Sequence, residues 1–121
     1  MSAGMVIAVG LLGGIGAVSR FLLDGAVAAR VGKGFPFGTL AVNLSGAFLL
    51  GILVGATVGT GTYRLLGVGL IGAYTTFSTW ALESHRLSED GEGRLGAANF
   101  VVSLVLGVAV AWLGRKIGTG L

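Results

Sequence analysis

The sequence predicts an all-α membrane protein, four transmembrane helices in one domain over residues 1–121. Length points to one domain, since 121 residues leave no room for a second. Charge points to the membrane: 11% of residues are charged and 54% hydrophobic, against about 25% charged in ordinary soluble domains. The gaps between charges supply the count. Met1–Ser19, Gly34–Tyr63, Leu65–Leu82 and Leu95–Gly114 carry no charged side chain, and each is close to the roughly 20 residues that cross a ~30 Å hydrocarbon core.

The first helix is expected over Met5–Leu23. It lacks a basic leading region and a small-x-small cleavage site, so it reads as a retained helix and not as a signal peptide. Arg20 is the one cation within a helix. Near a helix end it can snorkel to the interface, or it can draw anions into a vestibule.

Helix 2 is expected over Phe37–Thr57, with Gly34 and Pro36 fitting a helix start. Its "GTLAVNLSG" sets Thr39 and Asn43 one turn apart on one face. An unpaired polar group in lipid costs several kcal/mol, so such residues have either a packing or a functional partner. Asn43, the only carboxamide of this helix, is either glue between helices or part of a lining.

Helix 3 is expected over Leu65–Glu83 and contains "GLIGAYTTFSTW". Glycines and β-branched threonines make this a poor continuous helix, and a break is expected here. Non-helical backbone at depth is tolerated where it is buried or lines a cavity. Freed carbonyls can coordinate a hard cation, and hydroxyls such as that of Thr79 can line a route. Phe77 and Trp80 stand three apart, roughly on one face. They are either core and lipid-facing filler, or rings whose positive edges support a dehydrated anion.

Helix 4 is expected over Leu95–Gly114, with Asn99, Ser103 and Gly107 on one stripe. The serine can bond back to its own helix, or the stripe can line a narrow path. Asp24 and Glu83 fall at helix ends, and His85 in a polar loop. "GLLGG" at 10–14, "GILVG" at 51–55 and "SLVLG" at 103–107 are small-xxx-small spacings that permit tight bundling.

Four spans put both termini on one side with Arg64, Arg115 and Lys116, opposite Arg30, Lys33, Arg86 and Arg94. So even a distribution barely orients the chain under the positive-inside rule. Either another factor fixes the orientation, or copies insert both ways and pair antiparallel. The 24 glycines make thin helices with little interior, which a homodimer would complete. The absence of cysteine excludes disulfides, thiolate metal sites and cysteine nucleophiles. The formal charge of +3 comes from scattered loop residues and not from one basic face, so no nucleic-acid partner is expected. No catalytic constellation stands within the spans, and no enzyme is expected.

In order and spacing, "GGIGAVSRF", "GTLAVNLSG", "GAYTTFSTWALE" and "NFVVSLVLGVAVAWLG" resemble the Fluc/CrcB family of bacterial fluoride channels over nearly the whole chain. That resemblance implies an antiparallel, dual-topology homodimer in the bacterial inner membrane, with two pores for passive fluoride export and a central sodium ion. By motif position it implies Asn43 as pore asparagine and Phe77 as first ring of a phenylalanine box. Thr39 and Ser103 would belong to a polar track, and Arg20 to a vestibule. Gly72 and Thr75 would offer carbonyls to sodium, and Glu83 is the acidic residue one turn past the box. The chain departs from the family pattern at Trp80, the second box position, at Asn99, where some members have tyrosine, and at Phe21. A small multidrug-resistance-type transporter would need a carboxylate in helix 1, which Met5–Leu23 lacks. A structural subunit of a membrane complex would leave Asn43, Thr39 and Ser103 unexplained.

Overall fold

A computed structural model describes residues 2–32, 35–75, 77–89 and 91–121. The side chains of Phe77, Ser78, Thr79 and Ser88 lie outside the described residues, and with them the expected roles of Phe77 and Thr79 as well as the Lys33 charge. The described chain is all-helical: α1 Ala3–Val31, α2 Phe37–Gly55, α3 Thr60–Thr62, a π-helix Tyr63–Ile71, α4 Gly72–Tyr74, α5 Phe77–Glu89 and α6 Gly93–Thr119.

Helix α1 starts at a Ser2 cap, whose hydroxyl accepts from the Met5 amide at 3.1 Å, satisfying one of the orphan donors of the first turn. It stops at Gly32, whose φ of 82° lies in the left-handed region that glycine enters without a Cβ penalty. The helix thus runs on past the expected end at Leu23. The cause is local, since "DGAVAARV" holds no proline and is rich in alanine, the best helix former. Arg20 and Asp24 therefore lie inside a helix and not at its end, and the first helix does contain a carboxylate.

Helix α2 follows Pro36 as expected and ends at Gly55, just before Thr57 takes a left-handed φ of 51°. Its tightest partner is α6, and the reason is small residues on both sides. Gly51 and Gly55 lie against the main chain of Ala111 and Arg115, while Gly114 and Gly118 lie against the carbonyls of Phe48 and Ile52. A Cβ at any of the four would meet backbone, so the helices approach as closely as glycine allows. The expected spacing at 51–55 is used here. The other two expected spacings make no such contact within the subunit, where nothing lies within 4 Å of a Cβ built at Gly10, Gly14 or Gly107. The working motif on α6 is "GRKIG", where two cations between the glycines hide it from a search for apolar stretches.

The third segment begins at Thr60 and leaves the helical region at Thr75, with φ −78° and ψ 158°. Residues 60–74 pack on α1, and α5 packs on α6. The interruption has a consequence for the number of spans. Helices α1, α2 and α6 are each long and apolar enough to cross a membrane, whereas the break leaves α5 at 13 residues.

The interior of this bundle is thin. Val42, Ile71 and Trp80 are the buried apolar side chains among the described residues, beside the buried polar Thr39, Ser84 and Asn99. Leu11, Ile15, Val18 and Phe21 of α1 and Val101, Val105 and Val108 of α6 face outward. An apolar exterior of this extent belongs in lipid or against another chain. The chain is a multi-pass membrane protein.

Candidate functional site

The break in the third segment opens a cleft of about 340 Å³ against α2. Asn43 and Gly46 of α2, Gly72 and Thr75 at the break, and Trp80 of α5 line it together with Ile71. Four residues singled out by the sequence, Asn43, Gly72, Thr75 and Trp80, are thus brought to one place. Gly46 makes the approach possible, because a Cβ there would occupy the position of the Thr75 methyl. The Thr75 hydroxyl turns the other way and donates to the Ile71 carbonyl at 3.2 Å. What Thr75 has left to offer is its main chain. Tyr74 ties the end of the helix to α2: its hydroxyl lies 2.8 Å from the Ser45 hydroxyl. Ser45 spends its own proton on the Val42 carbonyl at 3.0 Å, so the tyrosine is the donor.

A second polar link joins α2 to α5. The Thr39 hydroxyl donates to the Glu83 carboxylate at 2.5 Å, and Thr39 is 2% exposed. Glu83 faces a smaller cleft of about 210 Å³, shared with Asp24, Phe35 and Gly38. The Asp24 carboxylate packs directly on Gly38 in the first turn of α2. Negative charge is favoured at a helix N-terminus, where the macrodipole is positive.

Behind Trp80 lies a third group. Its indole N–H donates to the main-chain carbonyl of Asn99 at 3.3 Å, and its ring stacks on Phe100 with centroids 4.8 Å apart. The Asn99 side-chain amide donates to Ser84 at 2.6 Å, and Ser103 reaches the Asn99 amide oxygen at 3.5 Å, the outer limit of a hydrogen bond. Asn99 is 1% exposed. In the single chain Asn99 and Ser103 therefore back the wall of the cleft and do not line it. Arg20, half-buried on α1, lines neither cleft. His85 sits on α5 and not in a loop, paired with Glu89 at 2.6 Å on an exposed face.

Ser84, Ser45 and Tyr74 were not singled out by sequence reasoning. Ser84 had a signal, since it stands one helical turn after Trp80. The Ser45–Tyr74 contact had none, because it depends on how the break meets α2.

No group of three His, Cys, Asp or Glu that could hold a metal exists among the described residues. A cation here would need main-chain oxygens, the donor type that suits a hard ion. A helix that stops leaves its last carbonyls without intrahelical donors, and Gly72 and Thr75 stand at that end.

Comparison with known proteins supplies a match over residues 7–115 to the family described as CrcB-like protein, Camphor Resistance (CrcB). The "Fluoride-specific ion channel FluC 2" of Mycolicibacterium paratuberculosis is 52% identical over 111 residues, covering 92% of this chain and 91% of its own. The protein of the same name from Mycobacterium bovis is 54% identical over 111 residues, with 92% and 88% covered. The "Fluoride-specific ion channel FluC" of Geobacter metallireducens is 43% identical over 114 residues, with 90% and 92% covered.

Proposed function

The chain belongs to the CrcB family, and from that premise we propose that it is a fluoride-specific ion channel through which fluoride leaves the cytoplasm passively. It is a channel and not an enzyme. The observation that carries the reading in this chain is the cleft that joins Asn43 to Trp80 and the helix break at Thr75.

Fluoride is small and holds its hydration shell tightly, so a route through lipid must replace that shell. The Asn43 amide supplies an N–H donor, and aromatic rings supply positive edges without a full charge. A donor of this kind stabilises an anion far more in a dry site than in water. Fixed cations would trap the ion, and carboxylates would repel it. By motif position Thr39, Phe77 and Thr79 continue the route, Asn99 and Ser103 back its wall in the single chain, and Arg20 gathers anions at its entrance. The Thr39 bond holds Glu83 at the cleft's neighbour.

The functional unit is an antiparallel homodimer in the bacterial inner membrane, with two pores and the broken segment serving as the third of four spans. The thin interior and the apolar outer faces of α1 and α6 support a second copy. At its centre the carbonyls of Gly72 and Thr75 would hold a sodium ion, whose positive charge would fix the break and the dimer.

The deciding experiment is efflux from liposomes containing the purified protein, followed with a fluoride electrode and with chloride as parallel control. Fluoride is expected to leave while chloride stays. Retention of both ions by correctly reconstituted protein, or their equal loss, would sink the reading.

A further inference from the structure

Trp80 is held at more than one point, and the holding contacts form a closed ring. The indole N–H donates to the Asn99 carbonyl at 3.3 Å, the Asn99 amide donates to the Ser84 hydroxyl at 2.6 Å, and that hydroxyl donates to the Trp80 carbonyl at 2.9 Å. Phe100, next to Asn99 on α6, covers one face of the indole with the ring planes 20° apart. Asn99 thus acts on Trp80 twice, through its main chain on the ring and through its side chain on the backbone that carries the ring. All three residues are buried, at 6%, 8% and 1% exposure for Trp80, Ser84 and Asn99. Neutral hydrogen bonds in such a setting are costly to leave unmade.

The direction of the indole matters for an anion. An indole has one N–H donor, and here it is directed at α6. Trp80 therefore meets the Asn43 cleft without offering it the indole's N–H. We propose that Asn99, through Ser84, is a positioning residue that holds Trp80 as a fixed wall of the Asn43 cleft and thereby sets its selectivity between small and large halides. The proposal rests on the fluoride-channel reading. A wall of fixed width admits fluoride and excludes chloride. A wall that can swing loses the exclusion first, so chloride leakage rises while fluoride still passes.

The test uses the full-length chain with Trp112→Phe, which removes the exposed second tryptophan and leaves Trp80 as the only fluorophore of its kind. Asn99→Leu keeps the side-chain size and loses the amide, Ser84→Ala removes one oxygen, and Ser84→Thr retains the hydroxyl. Two quantities are read, acrylamide quenching of Trp80 and the fluoride-to-chloride rate ratio in liposomes. Asn99→Leu and Ser84→Ala should each raise the quenching constant at least about twofold and lower the rate ratio about tenfold, the change expected from one buried hydrogen bond. The double variant should be no worse than either single one, and Ser84→Thr should stay near the parent.

Unchanged quenching and ratio in Ser84→Ala, the change least able to prevent folding, overturn the proposal. So does an equal fall in both halide rates, the mark of a merely structural role. If the parent passes no fluoride at all, the fluoride reading has failed. Quenching then decides the positioning by itself, a rise in Asn99→Leu supporting it and no rise overturning it.

Discussion

The hydroxyl of Thr39 on α2 donates a 2.5 Å hydrogen bond to the carboxylate of Glu83 on α5. The bond crosses the helix break and joins the first turns of α2 to the half of the third segment that follows Thr75. A bond to a charged group contributes about 1.5–3 kcal/mol, and here the donor Thr39 is buried while its acceptor Glu83 is half-buried and faces a cleft. Thr39→Val keeps the shape and removes the donor. It should lower stability by about 2 kcal/mol and fluoride flux by about tenfold, whereas Thr39→Ser should keep both near the parent. Thermal unfolding in detergent and liposome efflux read the two effects. Equal losses in Val and Ser variants would mean that the methyl group and not the hydroxyl matters.

The α2–α6 contact makes a prediction that separates glycines of the same helix. Gly114→Ala and Gly51→Ala put a Cβ into the main chain of the facing helix, and overpacking of this kind costs roughly 1–3 kcal/mol. Gly107→Ala and Gly10→Ala meet open space within the subunit and should leave its unfolding midpoint unchanged. Chemical unfolding of the four variants in one detergent compares them directly. A Gly114→Ala variant as stable as Gly107→Ala would contradict the packing.

Asn43 is the amide that faces both the helix break and Trp80. Asn43→Ala removes a half-buried donor that lines the cleft and should reduce fluoride flux by about ten- to a hundredfold. Asn43→Asp, which replaces the donor with a negative charge, should reduce it further. Phe77→Ile should also cut flux severely, since an aliphatic group has no positive edge. Electrode-monitored efflux at equal protein-to-lipid ratio measures all three. Near-parental flux in both Asn43→Ala and Phe77→Ile would remove these residues from the pore.

The sequence made some of this legible and hid the rest for physical reasons. Three of the four expected spans, now α1, α2 and α6, were readable because uncharged runs of about 20 residues have few uses outside a bilayer. The break was readable because "GAYTT" combines residues that disfavour helix. Helix ends were not, since a charged, alanine-rich stretch such as "DGAVAARV" continues a helix in water as well as in lipid, and α1 accordingly takes in Arg20 and Asp24. Asn43 and Thr39 stood out because amides and hydroxyls are conspicuous among apolar neighbours. Ser84 did not stand out, because it lies in "ESHR", where polarity looks like solvent exposure, yet it is only 8% exposed and is bonded to Asn99.

Sodium at the break is tested by ion replacement, since a main-chain donor survives most substitutions. With sodium exchanged for a bulky organic cation, the dimer should dissociate at a higher protein concentration and fluoride flux should fall. Size-exclusion chromatography and efflux report the two in parallel. A dimer and a flux indifferent to sodium would dispose of the carbonyl site at Gly72 and Thr75.

The balance of cations predicts what happens when it is upset. With four spans, Arg64, Arg115 and Lys116 would stand against Arg30, Arg86 and Arg94 with Lys33, too even a distribution to choose an orientation. Appending three lysines after Leu121 should bias every copy toward a cytoplasmic C-terminus. If the functional unit is antiparallel, that variant inserts but cannot pair, and cells should lose fluoride resistance. A second variant, with Arg115 and Lys116 replaced by glutamine and lysines added between α5 and α6, should insert the other way and be equally inactive alone. Resistance should return only on co-expression, because each variant then supplies the orientation the other lacks. Full activity of the first variant by itself, with its C-terminus labelled from one side only, would refute the antiparallel pair.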